Sequence, residues 1–211
     1  MKNFIEVFDN ALRPEECKTI IDFMNQDGML NPGCVTTKEG KGVNPEYKDD
    51  LEVTLIADSI PQLKTEGQLK VDTLIGERLS IYTTEYVNVH PQLSGIAGWT
   101  VHSRYNLQKY NPGQGYYTSH CECCSLKTNQ RILAWMFYLN TVPDGGTYFD
   151  NYELAMDAVE GRLVIWPAYW THFHRGIISE TETKYIATGW YTSVSYTHLR
   201  AHETKANLVC R

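Results

Sequence analysis

Two short histidine motifs in the second half of the chain could bind a metal ion. His120 and Glu122 lie two residues apart, and His172 and His174 repeat that spacing about fifty residues later. In an extended strand, residues i and i+2 point to the same face, so each pair can present two ligand atoms to one ion. Two imidazoles and one carboxylate on one face of a metal form the facial triad of non-haem iron sites, which leaves three positions open.

The histidines also have a structural interpretation, and their spacing does not decide between the two. A His-x-Glu sequence occurs by chance in many proteins, and a single histidine more often serves as a hydrogen-bonded structural group than as a metal ligand. From the residues alone, His172 and His174 compete for the third ligand position, since both would share one face of a strand.

The cysteines favour free thiols over a disulfide framework or a zinc site. Three of them, Cys121, Cys123 and Cys124, are clustered at the first histidine motif. A structural zinc site needs a second pair at ligand spacing, which Cys17 and Cys34 do not form. We therefore expect reduced cysteines, with the cluster either buried as small apolar side chains or sensitive to oxidation.

The elements that would position these motifs begin with helices. Between about 13 and 27 the apolar residues recur at i, i+3, i+4 and i+7, and Pro14 suits a first helical turn. A second helical repeat covers about 71–89. Residues 4–8 form a short strand before the first helix, and 28–50, rich in Gly, Asn, Lys and Asp, predict a long surface loop.

After about residue 95 the pattern changes to short strands separated by turn signals. Residues 131–142 are apolar at nearly every position, which predicts a central strand covered on both faces. Residues 111–115 and 144–146 are typical of turns. The order predicts an α+β fold in which N-terminal helices support a compact β-barrel. Further extended segments are predicted at 105–110, 116–122, 147–150, 162–166, 172–175 and 184–192.

Composition excludes several classes of protein. The chain has 211 residues, enough for one large domain, with 19 basic and 25 acidic residues and a formal net charge of −6. An acidic surface repels phosphate backbones, so we expect no nucleic-acid partner. Without an apolar run of 18 or more residues or a secretion signal, we expect a cytoplasmic protein that does not enter the membrane. The oligomeric state has no signature in the sequence.

The last stretch of the chain, residues 194–211, reads VSYTHLRAHETKANLVCR and resembles the conceptual translation of a sequencing-library adapter read through in frame. We expect a non-native tail there and exclude it from the fold argument. The tail contains His198, His202 and Cys210, which would distort a count of metal ligands. It carries three basic residues against one acidic residue, so the rest of the chain is more acidic than the whole.

An ordered series of motifs surrounds the two histidine pairs. It runs through YNPGQGY at 110–116, HCE at 120–122, Arg131 with YLN at 138–140, two glycines at 145–146 with Phe149, GRLVIWP at 161–167, His174, Lys184 and Trp190. Over roughly 104–191 this series resembles the 2-oxoglutarate and Fe(II)-dependent dioxygenases, specifically the prolyl 4-hydroxylase-like branch. The strand and helix over 4–24 are also similar to the usual start of that branch.

The resemblance implies a double-stranded β-helix, a jelly-roll or cupin-like barrel whose mouth holds the metal. It implies one oxygenase domain over 1–193. Within that domain, 1–95 would form a helical support region and 96–193 the barrel core.

The resemblance also implies His120, Glu122 and His174 as the iron ligands. His174 is preferred to His172 because its interval of ten residues to Lys184 matches the family's pattern. The family more often has Asp at the position of Glu122. Glutamate is one methylene longer and still reaches a metal at about 2.0–2.2 Å, although the change leaves open a weakened site.

The cofactors implied by the family are Fe(II), with 2-oxoglutarate and dioxygen as cosubstrates and ascorbate as a reductant. Lys184 would bind the distal carboxylate of 2-oxoglutarate, with Tyr110 and Tyr138 as hydroxyl donors nearby. The reaction would couple decarboxylation of 2-oxoglutarate to hydroxylation of an unactivated C–H bond, in a peptidyl proline or a small molecule. Two alternatives stay open, namely a barrel that binds without turnover and a cupin-type metalloenzyme of another reaction class.

Overall fold

A computed structural model describes residues 2–37, 40–58, 61–96 and 98–194. Apart from Val194, the expected tail lies outside the described residues. The described residues form helices α1 (Pro14–Met24) and α2 (Glu66–Val89) and twelve strands. The strands are β1 (Glu6–Phe8), β2 (Asn31–Pro32), β3 (Val35–Thr37), β4 (Gly40–Gly42), β5 (Leu51–Ile56), β6 (Trp99–Tyr110), β7 (Arg131–Tyr138), β8 (Val142–Phe149), β9 (Leu154–Ala158), β10 (Leu163–Pro167), β11 (His174–Ile177) and β12 (Lys184–Ser193).

Two antiparallel sheets form the barrel. The large sheet has seven strands in the order β1-β10-β7-β12-β6-β5-β2, and the small sheet has the order β11-β8-β9. Phe149 of β8 and Met156 of β9 pack in one core cluster with Ala134, Met136 and Tyr138 of β7, so the small sheet covers one face of the large one. This is the double-stranded β-helix, and with the two helices the expected α+β class is confirmed.

Strand β7 lies in the interior of the large sheet and is covered on both faces. Its residues Leu133, Trp135 and Phe137 belong to the core shared with both helices, while the residues between them face the small sheet. A strand with two buried faces has no position for a polar side chain, which explains the continuous apolar run. The predicted central strand is therefore confirmed, although it ends at Tyr138.

Helix α1 is tied to helix α2 by the carboxylate of Glu16. This carboxylate accepts the backbone N–H of Arg13 at 2.8 Å and the Arg13 guanidinium at 2.9 Å, and Arg78 of α2 donates to it as well. Burial would raise the pKa of Glu16, but the hydrogen bonds from Arg78 and Arg13 lower it to about 2. The carboxylate is therefore charged and links both helices at neutral pH.

Helix α2 begins earlier than the predicted start near residue 71. The hydroxyl of Thr65 accepts the N–H of Gln68 at 3.1 Å and caps the first turn. Val71, Ile75 and Leu79 then pack into the core on the helical side of the large sheet.

In the described part of the chain, no helix is both long and apolar enough to cross a membrane.

The prediction of a long surface loop over 28–50 is partly wrong. It contains the short strand β2 and the β3–β4 hairpin, and β5 follows directly and pairs with β6. Strands of two or three residues are too short to show an alternating pattern, which is why the composition indicated only a loop.

The turn signal at 144–146 lies inside strand β8, where it produces a bulge. Val142 pairs with Ala158, whereas Thr147 pairs with Met156, so β8 carries extra residues between the two pairs. A bulge and a turn both use glycine at positive φ, so the sequence alone does not separate them. The prediction that 144–146 form a turn between two strands is therefore wrong.

We predict that Gly161→Ala destabilises the fold more than Gly28→Ala. Both glycines have positive φ, 77° and 71°, which costs a residue with a Cβ about 1–2 kcal/mol. A Cβ at Gly161 would also lie 2.2 Å from the Leu12 carbonyl oxygen, whereas none of the described atoms lies within 4 Å at Gly28. We expect that clash to add about 1–3 kcal/mol in urea unfolding. Equal losses in the two variants would contradict the packing argument.

Candidate metal centre

His120 and His174 are brought together by a reciprocal backbone bridge. The N–H of each residue donates to the carbonyl of the other at 2.9 Å, which joins the start of β11 to the connection between β6 and β7. The extended strand predicted over 116–122 is wrong, because this connection forms only isolated bridges at Tyr116 and His120. Glu122 is placed instead by its N–H, which donates to the Ala168 carbonyl at 3.0 Å.

The three predicted ligands converge on one point. Oε1 of Glu122 lies 3.5 Å from Nε2 of His120 and 3.5 Å from Nε2 of His174. The three ligand atoms all lie within 4.8 Å of one another. His174 is buried, while His120 and Glu122 keep part of their surface exposed.

The hydrogen bonds of the two imidazoles determine which nitrogen faces that point. Nδ1 of His120 lies 3.0 Å from the Thr118 carbonyl, and Nδ1 of His174 lies 2.9 Å from the His172 carbonyl. A carbonyl only accepts, so both Nδ1 atoms carry the proton and both Nε2 atoms present a lone pair. Burial, and then the neighbouring His174, lower the pKa of His120, which favours its neutral form.

This donor set fits a divalent metal ion of the iron type. The carboxylate oxygen lies 3.5 Å from each of the two imidazole lone pairs, and a cation between the three groups would relieve their mutual repulsion. The ligand softness is borderline, with neither the thiolates typical of structural zinc nor the all-oxygen shell typical of Mg²⁺. Backbone carbonyls that accept a hydrogen bond from Nδ1 are also typical of metal-binding histidines.

His172 lies apart from this centre. It ends a single 3₁₀ turn, Trp170–His172, instead of continuing strand β11. Its Nε2 lies 2.7 Å from the Asn3 carbonyl and its Nδ1 lies 2.9 Å from the Thr171 hydroxyl. The expectation that His172 shares a strand face with His174 is wrong because the backbone turns between them.

Asp150 braces the two segments that carry the histidines, and the sequence argument missed it. Its carboxylate accepts the hydroxyl of Ser119, next to His120, and the guanidinium of Arg175, next to His174. Its N–H also donates to the Phe173 carbonyl at 2.9 Å. No local pattern marks Asp150, because its partners are distant in the chain.

Glu122 has two further partners that the sequence argument did not place at the metal centre. The indole N–H of Trp190 donates to Oε2 of Glu122 at 2.7 Å. Arg131 donates to the same oxygen at 3.3 Å and to the Glu122 carbonyl at 3.2 Å. Both residues belong to the ordered series of motifs, which was the available signal.

Lys184 lies inside the barrel, at the start of β12 and opposite Tyr110 of β6. Only 5% of its surface is exposed. Its ammonium donates to the carbonyls of Gly146 at 3.2 Å and Ile177 at 2.9 Å, and it forms no ion pair among the described residues. Burial lowers the pKa of Lys184 to about 8. An ammonium has three donors, so one N–H is left for an anion.

The two predicted tyrosines line the same interior and already donate their protons. Tyr110 donates to Oε1 of Gln108 at 2.9 Å, and Tyr138 donates to the hydroxyl of Thr147 at 2.8 Å. Burial raises the pKa of both phenols, so both are neutral. Thr147, which the sequence argument missed, is buried one residue after the carbonyl that binds Lys184.

We predict that His120→Gln and His174→Gln each weaken Mn²⁺ binding by about 100-fold or more, because removal of a ligand costs at least as much as removal of its supporting groups. His172→Gln is the matched control, since its side chain lies apart from the centre, and we expect less than about a twofold change. Affinity can be measured by electron paramagnetic resonance of free Mn²⁺. A large loss in His172→Gln, with the loss absent in His174→Gln, would contradict the geometry.

Comparison with protein-family models identifies the 2OG-Fe(II) oxygenase superfamily over residues 105–192. This range contains the three converging side chains and Lys184, so the match covers the whole metal centre. A search of curated proteins finds no match for the chain.

Comparison with solved structures identifies the same fold at low sequence identity. A viral collagen prolyl hydroxylase from Paramecium bursaria Chlorella virus-1 in complex with 2OG aligns with a TM-score of 0.63 and 18% identity, over 90% of this chain and 97% of that chain. A Pseudomonas putida prolyl-4-hydroxylase aligns with a TM-score of 0.62 and 13% identity, over 92% and 95%. A Trichoplax adhaerens prolyl hydroxylase bound to a hypoxia inducible factor peptide fragment aligns with a TM-score of 0.67 and 15% identity, over 91% and 84%.

The family match and the shared fold agree with the geometry of the centre. A member of this family uses Fe(II), with 2-oxoglutarate and dioxygen as cosubstrates, and the chain has a matching ligand set. Residues 105–192 match the model of the 2OG-Fe(II) oxygenase superfamily, and the chain has the fold of the prolyl 4-hydroxylases, which together support a 2-oxoglutarate-dependent dioxygenase.

Proposed function

We propose that the protein hydroxylates an unactivated C–H bond of a peptide or small molecule while 2-oxoglutarate is decarboxylated to succinate. The observation that supports the proposal is a His-Glu-His ligand set in the same barrel as a buried ammonium that forms no ion pair among the described residues. Iron, when bound, supplies the activation of dioxygen. The remaining chemistry is binding, orientation and exclusion of water by this chain's own side chains.

In this proposal His120, Glu122 and His174 hold the iron and leave three positions for the cosubstrates. The Thr118 and His172 carbonyls keep both imidazoles in the tautomer that binds metal. The ring of Tyr116 stacks on His120 with 3.7 Å between centroids, which restricts the rotation of that imidazole. The ligand geometry is thus prepared before the metal binds.

Lys184 would bind the distal carboxylate of 2-oxoglutarate. Its ammonium is buried and has one N–H beyond those donated to the Gly146 and Ile177 carbonyls, and a charge-assisted hydrogen bond from that N–H contributes about 1.5–3 kcal/mol. Tyr110 and Tyr138 would border the same carboxylate. Because their protons are donated to Gln108 and Thr147, the hydroxyl of Thr147 is a further donor available to the cosubstrate.

The substrate we propose is a peptidyl proline, with a free small molecule as the alternative. The fold is shared with a viral collagen prolyl hydroxylase and with a prolyl hydroxylase bound to a peptide fragment. In this chain Trp170 is 70% exposed, two residues after Ala168, whose carbonyl accepts the N–H of Glu122. An exposed indole in the segment that anchors Glu122 suits an extended peptide. Ascorbate would serve as the reductant.

The decisive experiment measures succinate formed from 2-oxoglutarate with Fe(II), ascorbate and a proline-rich peptide. We expect succinate in proportion to hydroxyproline, and neither product with the His174→Gln variant. Succinate without hydroxyproline would indicate another substrate class. No succinate from a protein that binds metal and 2-oxoglutarate would indicate a binding module and overturn the proposal.

We predict that Lys184→Met raises the Kd for 2-oxoglutarate by about 10- to 100-fold, the equivalent of one charge-assisted hydrogen bond. Lys109→Met is the matched control, since Lys109 is a lysine of the neighbouring strand β6 whose Nζ contacts Asn25 at the surface. Calorimetric titration of the Mn²⁺-loaded protein measures both. An unchanged Kd in Lys184→Met would favour a metalloenzyme of another class.

We also predict that 2-oxoglutarate binding weakens as the pH rises above about 8. The pKa of Lys184 is lowered to about 8 by burial, so the free protein carries the ammonium below that pH and loses it above. Each further pH unit then reduces the binding-competent fraction about tenfold. In Lys184→Arg the guanidinium stays charged, and the weakening should be absent. The same weakening in that variant would assign it to another group.

A further inference from the structure

The two oxygens of Glu122 have different surroundings. Oε1 faces the two imidazole Nε2 atoms at 3.5 Å. Oε2 instead accepts the indole N–H of Trp190 at 2.7 Å and the guanidinium of Arg131 at 3.3 Å. A carboxylate held on one oxygen by two donors is not free to rotate about its terminal bond. The donors therefore select which oxygen reaches the metal.

Both donors are themselves held in place. The guanidinium carbon of Arg131 lies 3.5 Å above the ring of Trp190, a stacked cation–π contact that orients both groups. A second hydrogen bond from Arg131 reaches the Glu122 carbonyl at 3.2 Å. Trp190 sits where strand β12 shifts register against β6, between Gly189 and Tyr191. Bulges of this kind re-aim a side chain beside a functional site.

We propose that Arg131 and Trp190 are positioning residues that hold Glu122 as a ligand through one oxygen only. The inference rests on the proposed iron site and adds a reason for glutamate at this position. The side chain must reach from the backbone anchored at Ala168 to the imidazoles and to Trp190 together. Aspartate, one methylene shorter, would satisfy one of these contacts at the expense of the other.

If Glu122 binds through one oxygen, the protein supplies three ligand atoms to the metal. If Oε2 were released, the carboxylate could bind through both oxygens and occupy one of the positions that the cosubstrates need. The metal affinity would also fall, since groups that orient a ligand typically contribute 10- to 100-fold to metal binding. Arg131 and Trp190 would thus act on the metal through Glu122, without touching it.

The test compares Trp190→Phe and Arg131→Lys with Trp99→Phe as the matched control. Trp99 is also half-buried, and its indole donates to a single acceptor, the Leu93 carbonyl at 3.4 Å. Two readouts are needed on protein loaded with Mn²⁺ alone. The first is the Mn²⁺ affinity, and the second is the separation of the two carboxylate stretching bands in isotope-edited infrared spectra, which is wide for one-oxygen binding and narrow for two-oxygen binding.

We expect about a tenfold loss of Mn²⁺ affinity in Trp190→Phe and Arg131→Lys, a narrowed band separation in both, and no change in Trp99→Phe. Glu122→Asp should also bind Mn²⁺ more weakly, and adding Trp190→Phe to it should cause little further loss. A separation that stays wide in Trp190→Phe, or an equal loss in the Glu122→Asp background, overturns the proposal because the effect would then be general packing.

The result is separable from that of the proposed function because neither readout requires turnover. If the protein shows these changes yet forms no succinate, the positioning role stands and the oxygenase proposal fails. If Mn²⁺ binding by the unaltered protein does not depend on His120 and His174, both fail together.

Discussion

The metal centre depends on a single pair of backbone hydrogen bonds. His120 and His174 exchange N–H and carbonyl contacts at 2.9 Å, and this bridge is isolated from the strands on either side of the His120 segment. It sets the imidazoles side by side with 4.4 Å between their centroids. Because the bridge has no ladder to support it, the surrounding contacts must hold the two segments in register. Asp150 does so from one side, through partners next to each histidine.

The N-terminal segment supports the same bridge from the other side. Lys48 pairs with Tyr116, whose ring stacks on His120. The Lys48 ammonium is buried and lies 2.6 Å from Glu52 and 3.0 Å from Asp50. Burial raises the pKa of Asp50 to about 6, so an ion cluster in this place has a desolvation cost. A purely apolar contact would specify the position of this segment beside the centre less well. We therefore interpret the ion cluster as serving the centre in spite of its desolvation cost.

Much of the fold followed from local patterns, and the exceptions have physical causes. The apolar run over 131–142 indicated a doubly covered strand, and the helical repeats located both helices. The prediction of an extended strand over 116–122 is wrong, but His120 and Glu122 do lie close enough to share one ion. The segment reaches its geometry through contacts with Ala168 and His174, which are distant in sequence and leave no periodicity. The short strands β2 to β4 were not predicted because two or three residues are too few to show an alternating pattern.

The available chemistry follows from the residue types and their order, which specify two imidazoles, a carboxylate and a lysine in one family series. The interval of ten residues to Lys184, which matches the family's pattern, also favoured His174 over His172. The partners of these side chains depend on the three-dimensional fold. The fold turns His172 toward the Asn3 carbonyl. It places the Lys184 ammonium beside two carbonyls instead of acidic side chains, and it gives the two oxygens of Glu122 different partners. These outcomes depend on where distant strands meet, and a register shift such as the one at Trp190 changes the direction of a side chain without changing its neighbours in the chain.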